Sequence, residues 1–115
     1  MRYALLICEG PGAYDGLGDA EREAIHGEYM TIANAPSTVG GAHLQPADTA
    51  TTVRMNGGGE LLTTDGPFAD TKEVFGGWFM VEADDLDGAL EVAGRIPAVR
   101  MGGCVEVRPI VEQSG

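Results

Sequence analysis

The alternation of apolar and polar positions divides the chain into short blocks. Residues 2–8 contain the unbroken apolar run Ala4-Leu5-Leu6-Ile7 and predict a strand covered on both faces. Residues 9–18, rich in glycine around Pro11, predict a loop. Asp19 is placed to cap a helix, with Glu21 and Glu23 favourable in its first turn. Ile25, Tyr29 and Ile32 then recur at i, i+4 and i+7 along one helical face, and Pro36 ends the helix. Residues 37–44 predict a short strand weakened by Gly40-Gly41, and residues 45–48 a turn. Residues 51–55 and 60–63 flank Asn56-Gly57-Gly58-Gly59, a strong hairpin signal. Thr64-Asp65-Gly66-Pro67-Phe68 is turn chemistry: Asp caps its own turn, Gly accepts positive φ and Pro fixes φ. Residues 77–81 predict another strand buried on both faces. Asp84 or Asp85 caps a second helix with the apolar stripe Leu86, Ala89, Leu90, Ala93 and Ile96, ended by Pro97. Residues 103–109 predict the last strand.

The order is β-α-β-(hairpin)-β-α-β. It predicts an α+β chain, a ferredoxin-like plait with an inserted β-hairpin, in one domain over residues 1–115. Two helices cover only one face of such a sheet. The first and central strands are nonetheless apolar on both faces, so the open face must meet something. A second copy is the simplest answer, which makes the chain its own partner in a homodimer.

Charge narrows the partners. Lys and Arg number 7 against 18 Asp and Glu, a net charge of −11. Phosphate neutralisation is out of reach, which argues against nucleic acid and against an anionic membrane surface. No run approaches the roughly 20 apolar residues of a membrane span. The apolar start is too short for a signal peptide and ends at Glu9-Gly10-Pro11-Gly12 without a small-residue cleavage site, so a cytoplasmic protein is expected. Cys8 and Cys104, both in apolar strand-like runs, read as buried, inert thiols rather than a disulfide or zinc site.

Several residues could carry chemistry. His26 sits about 100° round the helix from Ile25, at the edge of the apolar stripe, where an imidazole can reach a pocket and move a proton. Asp65 is a general base, an orienter of His26, or an Asx-turn carboxylate held by backbone amides. Lys72 and Glu73 pair with each other, sit solvated beside the turn, or offer Lys72 to an anionic substrate. Glu106 and Arg108 alternate with Val105 and Val107, so they share one sheet face. Arg54 on the hairpin is a candidate carboxylate binder. Trp78, with Tyr3, Phe79 and Met80, supplies apolar walls. His43 reads as a loop residue without a second imidazole or cysteine beside it. The glycine run Gly57-Gly58-Gly59 lacks the Lys-Ser/Thr and the helix of a phosphate loop. No metal or cofactor is called for.

At this point the chain resembles the YCII-related family, and within it the DGPF branch. The resemblance is carried by Ala50-Thr51-Thr52-Val53-Arg54, by Thr64-Asp65-Gly66-Pro67-Phe68-Ala69-Asp70-Thr71-Lys72-Glu73, by Gly76-Gly77 and Asp84-Asp85-Leu86-Asp87, and by Val105-Glu106-Val107-Arg108-Pro109. These blocks span the chain nearly end to end. The resemblance implies a dimeric α+β barrel, two plaits packed sheet to sheet. It implies for the broader family small-molecule enzymes with a His/Asp acid–base pair, and for the branch a genomic link to extracytoplasmic-function sigma factors. His26 is the only histidine on the first helix to match the family's. No aspartate lies between Asp19 and Asp48, so the aspartate that follows that helix in the broader family has no counterpart here.

Two functions follow as expectations. In the first, a pocket near the dimer interface binds a small polar organic acid; His26 or Asp65 moves a proton, and Arg54 or Arg108 fixes the carboxylate, as in a lyase or isomerase. In the second, the dimer is a non-catalytic regulatory module with a sigma factor as partner.

Overall fold

The computed structural model describes residues 1–66 and 74–112. Along the chain run β1 (Arg2–Glu9), α1 (Asp19–Ala33), β2 (Thr38–His43), β3 (Thr51–Met55), β4 (Leu61–Asp65), β5 (Val74–Glu82), α2 (Leu86–Gly94) and β6 (Cys104–Pro109). Short 3₁₀ turns at Ala47–Thr49 and Pro97–Met101 join them. Two helices and antiparallel sheets make this an α+β fold. Four strands form one sheet in the order β2-β5-β1-β6, which is compatible with a ferredoxin-like plait. β3 and β4 form a separate two-stranded antiparallel sheet.

Register fixes which side chains share a face. Tyr3 opposes Val81, and Leu5 opposes both Phe79 and Val107. These residues turn towards the helices and, with Ile7, Ile32, Ala89, Ala93 and Ile96, make up the core. Leu5, Val81 and Ala89 are entirely shut off from solvent. Each buried large aliphatic side chain contributes about 1.5–3 kcal/mol. On the opposite face, Ala4 opposes Met80 and Arg108, while Leu6 opposes Trp78 and Glu106. No helix covers these, and Leu6, Trp78 and Met80 are only half-buried in the single chain.

Local chemistry explains the element ends. Asp85 is the cap of α2; its Oδ1 accepts from the Gly88 amide at 2.9 Å. Gly18, not Asp19, occupies the cap position of α1, and no side chain closes that end, because Asp19 already belongs to the helix. The hairpin tip is held by Asn56, whose Oδ1 accepts from the amides of Gly58 and Glu60 at 2.9 and 3.0 Å. Gly59, at φ 82°, completes that turn in a conformation costly for other residues. The stripe expected on α2 is rotated. Ala89, Ala93 and Ile96 face the core, while Leu86 and Leu90 lie on the flank, about half exposed. Two alanines at the contact let the helix approach the sheet closely, and a face centred on them leaves the leucines outside.

Candidate functional site: a cleft under the first helix

α1 meets β2 and the 3₁₀ turn that follows α2. Between α1 and the β2–β5 edge of the sheet lies a cleft of about 1090 Å³. Its helix wall presents Arg22, Ile25, His26, Tyr29 and Met30. Its sheet wall comes from residues 39–43 of β2 and 76–79 of β5, with Ile7 and Glu9 from the end of β1.

Glycines make the space. Gly41 opposes Phe79, and Gly77 opposes His43, and both glycines line the cleft where β2 and β5 approach closely. A Cβ on Gly77 would lie 2.7 Å from the Ala42 carbonyl oxygen. One on Gly41 would lie 2.7 Å from that of Trp78. The glycine pair that weakens β2 in the sequence and the Gly76-Gly77 pair are therefore the floor of one site.

His26 is exposed at the cleft rim, one residue from buried Ile25, as its position on the stripe predicts. His43 is the last residue of β2, not a loop residue, and it lines the same cleft. The strand register that brings the two imidazoles to one cleft is invisible in the spacing of the sequence. No cluster of three or more His, Cys, Asp or Glu suited to a metal ion occurs among the described residues.

The remaining expected site residues are dispersed. Trp78 lines the cleft. Asp65 ends β4 opposite Thr51; it is exposed, it does not line the cleft, and its carboxylate accepts no hydrogen bond among the described residues. Arg54, opposite Leu62, also belongs to the hairpin. Glu106 and Arg108 share the uncovered face of β6, with Arg108 Nε 3.6 Å from Glu106 Oε2 in an exposed pair. Lys72 lies outside the described residues, as do Pro67, Phe68 and Glu73.

A polar group at one end of the cleft carries no motif. The Tyr14 hydroxyl donates to Glu9 Oε1 at 3.5 Å. Arg22 holds Tyr14 in place from the backbone side: its guanidinium donates to the carbonyls of Tyr14 at 2.7 Å and Leu17 at 3.3 Å. The Tyr29 ring packs tilted against Phe79, with centroids 6.5 Å apart. Its hydroxyl is closed off from solvent and makes no full hydrogen bond; Tyr14 and the Ala98 backbone are near, but out of bonding geometry. Burial pushes the Tyr29 phenol up, and the neighbouring Tyr14 and Glu9 push it further. Burial raises Tyr14 as well, with the Glu9 charge next in effect. The sequence signal that could have found this group is Glu9 closing an apolar strand directly before the glycine loop that holds Tyr14.

The fold is that of an α+β protein with a cleft beside its sheet. The chain belongs to the YCII-related domain family, whose pattern matches residues 1–114. It is similar to an uncharacterised protein of Rhizobium meliloti (strain 1021), 39% identical over 70 residues. That match covers 60% of this chain and 56% of the relative's length. No helix among the described residues is long and apolar enough to cross a membrane.

Proposed function

We propose that this YCII-related protein, of the DGPF branch by its Thr64-Asp65-Gly66-Pro67-Phe68 block, binds a small polar organic molecule in the cleft under α1 and moves a proton on it with His26. The observation that carries the reading is the convergence of an imidazole, a carboxylate and two phenols on one glycine-floored cleft. His26 is the proton-transfer group because a neutral imidazole carries both a donor and an acceptor nitrogen and this one stands at the rim, open to a ligand. Isomerisation or elimination next to a carbonyl needs no more than that. A substrate carboxylate would lie beside His26, away from the Glu9 carboxylate. Arg54, Asp65, Glu106 and Arg108 stand outside the cleft and carry no step in this reading.

The working unit of the proposal is a homodimer built on the uncovered sheet face. The half-buried Leu6, Trp78 and Met80 support this, since a partner would complete their burial. Trp78 and Ala42 pair in register on that face and also line the cleft, so the site borders the interface.

The test is a panel of small oxo- and hydroxy-acids followed by ¹H–¹⁵N correlation spectra. Shifts are expected at His26, Gly41, Gly77 and the Trp78 indole. Where an acid is turned over, His26→Gln is expected to lower kcat by about 10²–10⁴-fold with little change in KM. Shifts without turnover of any bound acid would make the cleft a binding module. Shifts confined to the hairpin or to β6 would sink the reading.

A further inference from the structure

We propose that the Glu9, Tyr14 and Tyr29 end of the cleft is a recognition subsite for the ammonium group of a small organic amine with an apolar body. The inference rests on the reading of the cleft as a small-molecule site and names the ligand chemistry at one end of it.

The Glu9 carboxylate is held in place yet electrostatically unanswered. It ends β1 half-buried and lies across Gly76, where an added Cβ would come within 3.0 Å of its carboxyl carbon. Its hydrogen bond among the described residues is the long one from Tyr14, and it takes part in no ion pair there. Arg22 is the one Lys or Arg among the described residues lining the cleft, and its guanidinium is engaged by two backbone carbonyls. No ion pair neutralises Glu9 among the described residues, although the Arg22 charge is felt at Tyr14 beside it.

The two tyrosines contribute differently. The Tyr29 hydroxyl is closed off from solvent, so Tyr29 offers a ligand the face of its ring and not its oxygen. An ammonium group has three N–H donors. The Glu9 carboxylate oxygens and the Tyr14 oxygen offer it acceptors of matching chemistry. Burial is the first cause of the raised proton affinity of both phenols, and the negative charge of Glu9 adds to it, while Arg22 works against it at Tyr14. A ligand carboxylate at this end would add to that charge; an ammonium would cancel it.

The walls suit the rest of such a ligand. Tyr29 and Phe79 pack together on one side, and Ile25 and Met30 add apolar surface. Aromatic faces attract cations as well as apolar groups. The net charge of −11 draws cations towards the molecule as a whole.

Benzylammonium is the probe, with benzyl alcohol and phenylacetate as controls, titrated into the full chain by calorimetry and ¹H–¹⁵N spectra. Benzylammonium is expected to bind at least tenfold more tightly than benzyl alcohol and to shift Gly76, Gly77 and the Trp78 indole. Glu9→Gln is expected to weaken it at least tenfold, and Tyr29→Leu, which removes the aromatic face, several-fold. Tyr14→Phe, which keeps the carboxylate, is the second variant should Glu9→Gln fail to give a dispersed spectrum; it too is expected to weaken binding several-fold. Equal binding of benzyl alcohol, or indifference to both the Glu9 and the Tyr14 substitutions, overturns the subsite. Phenylacetate shifting cleft amides while benzylammonium does not overturns the subsite and leaves the cleft reading standing. No shift from any of the three probes at millimolar concentration overturns the subsite, whereas the acid panel above decides the cleft reading separately.

Discussion

Tyr29 brings a hydroxyl into a space where nothing bonds it. A buried donor and acceptor without a partner stabilises nothing, so Tyr29→Phe is expected to change stability at pH 7 by less than about 1 kcal/mol in either direction. Its effect should appear at alkaline pH. The folded-state value lies above the ordinary phenol value of 10.0, so the native state keeps a proton that the unfolded chain loses. Stability from this source is fully present below pH 10 and is lost as pH rises above it towards the folded value. Urea melts between pH 9 and 12 check this: the wild type should lose stability more steeply above about pH 10 than Tyr29→Phe. Parallel curves would show that Tyr29 titrates as a free phenol. The two thiols also differ from the sequence reading. Cys104 is exposed and Cys8 only half-buried, and register places them directly opposite each other on β6 and β1. The apolar runs around them predict burial, but both lie on the face that no helix covers.

At the scale of elements, the two helices are secured differently. α2 is short, but Asp85 caps it and two buried alanines anchor it. Asp85→Ala is expected to cost about 1 kcal/mol in chemical denaturation, and Asp85→Asn much less, because an asparagine oxygen accepts the same bond. An equal loss in both variants would mean that the charge, not the cap, is what matters. α1 is longer, yet it has no side-chain cap at its start and no basic residue in its last turn. It is held by Ile25 and Ile32 from within and by the Arg100–Glu28 ion pair on the surface. A helix tied down at spaced points, not along its whole length, is what leaves room for the cleft. The turn and cap residues at Asn56 and Asp85 were legible because a cap or a tight turn involves atoms only a few residues apart. The buried face of α2 was half-legible: periodicity placed the stripe, and the approach of the sheet chose its centre.

For the whole molecule, shape is informative. The radius of gyration is 16.3 Å, against about 13 Å for a compact domain of this length. The extents of 48 × 47 × 19 Å describe a flat body. Among the described residues the β3–β4 hairpin pairs with no other strand, and it exposes Val53, Met55 and Leu61 on one of its faces by register. A two-stranded hairpin alone in water is marginal at best. A homodimer would cover the uncovered sheet face and give the hairpin apolar surface to rest on. Light scattering at micromolar concentration is therefore expected to give twice the chain mass of 12.0 kDa, and Leu6→Glu to shift the population to monomer. A wild-type mass of one chain would sink the homodimer and, with it, the placement of the cleft beside an interface.

The sequence by itself determined the strands, the helices, the hairpin tip, the α2 cap and the family, because each is written in residues close together in the chain or in a motif read in order. It also placed His26 at the edge of its helix, ready to face a pocket. Only the tertiary structure decided which residues share that pocket. Glu9, Tyr14, Tyr29, His43 and Gly77 come from five separate segments, and they meet through the antiparallel register of β2, β5 and β1 and the stand-off of α1. Register is set by the packing of the whole core, since a slip of one residue would turn every side chain to the other face. For the same reason Asp65, Arg54 and Arg108, plausible partners of His26 by residue type, lie on a hairpin and a sheet face outside the cleft, while the carboxylate beside it is Glu9.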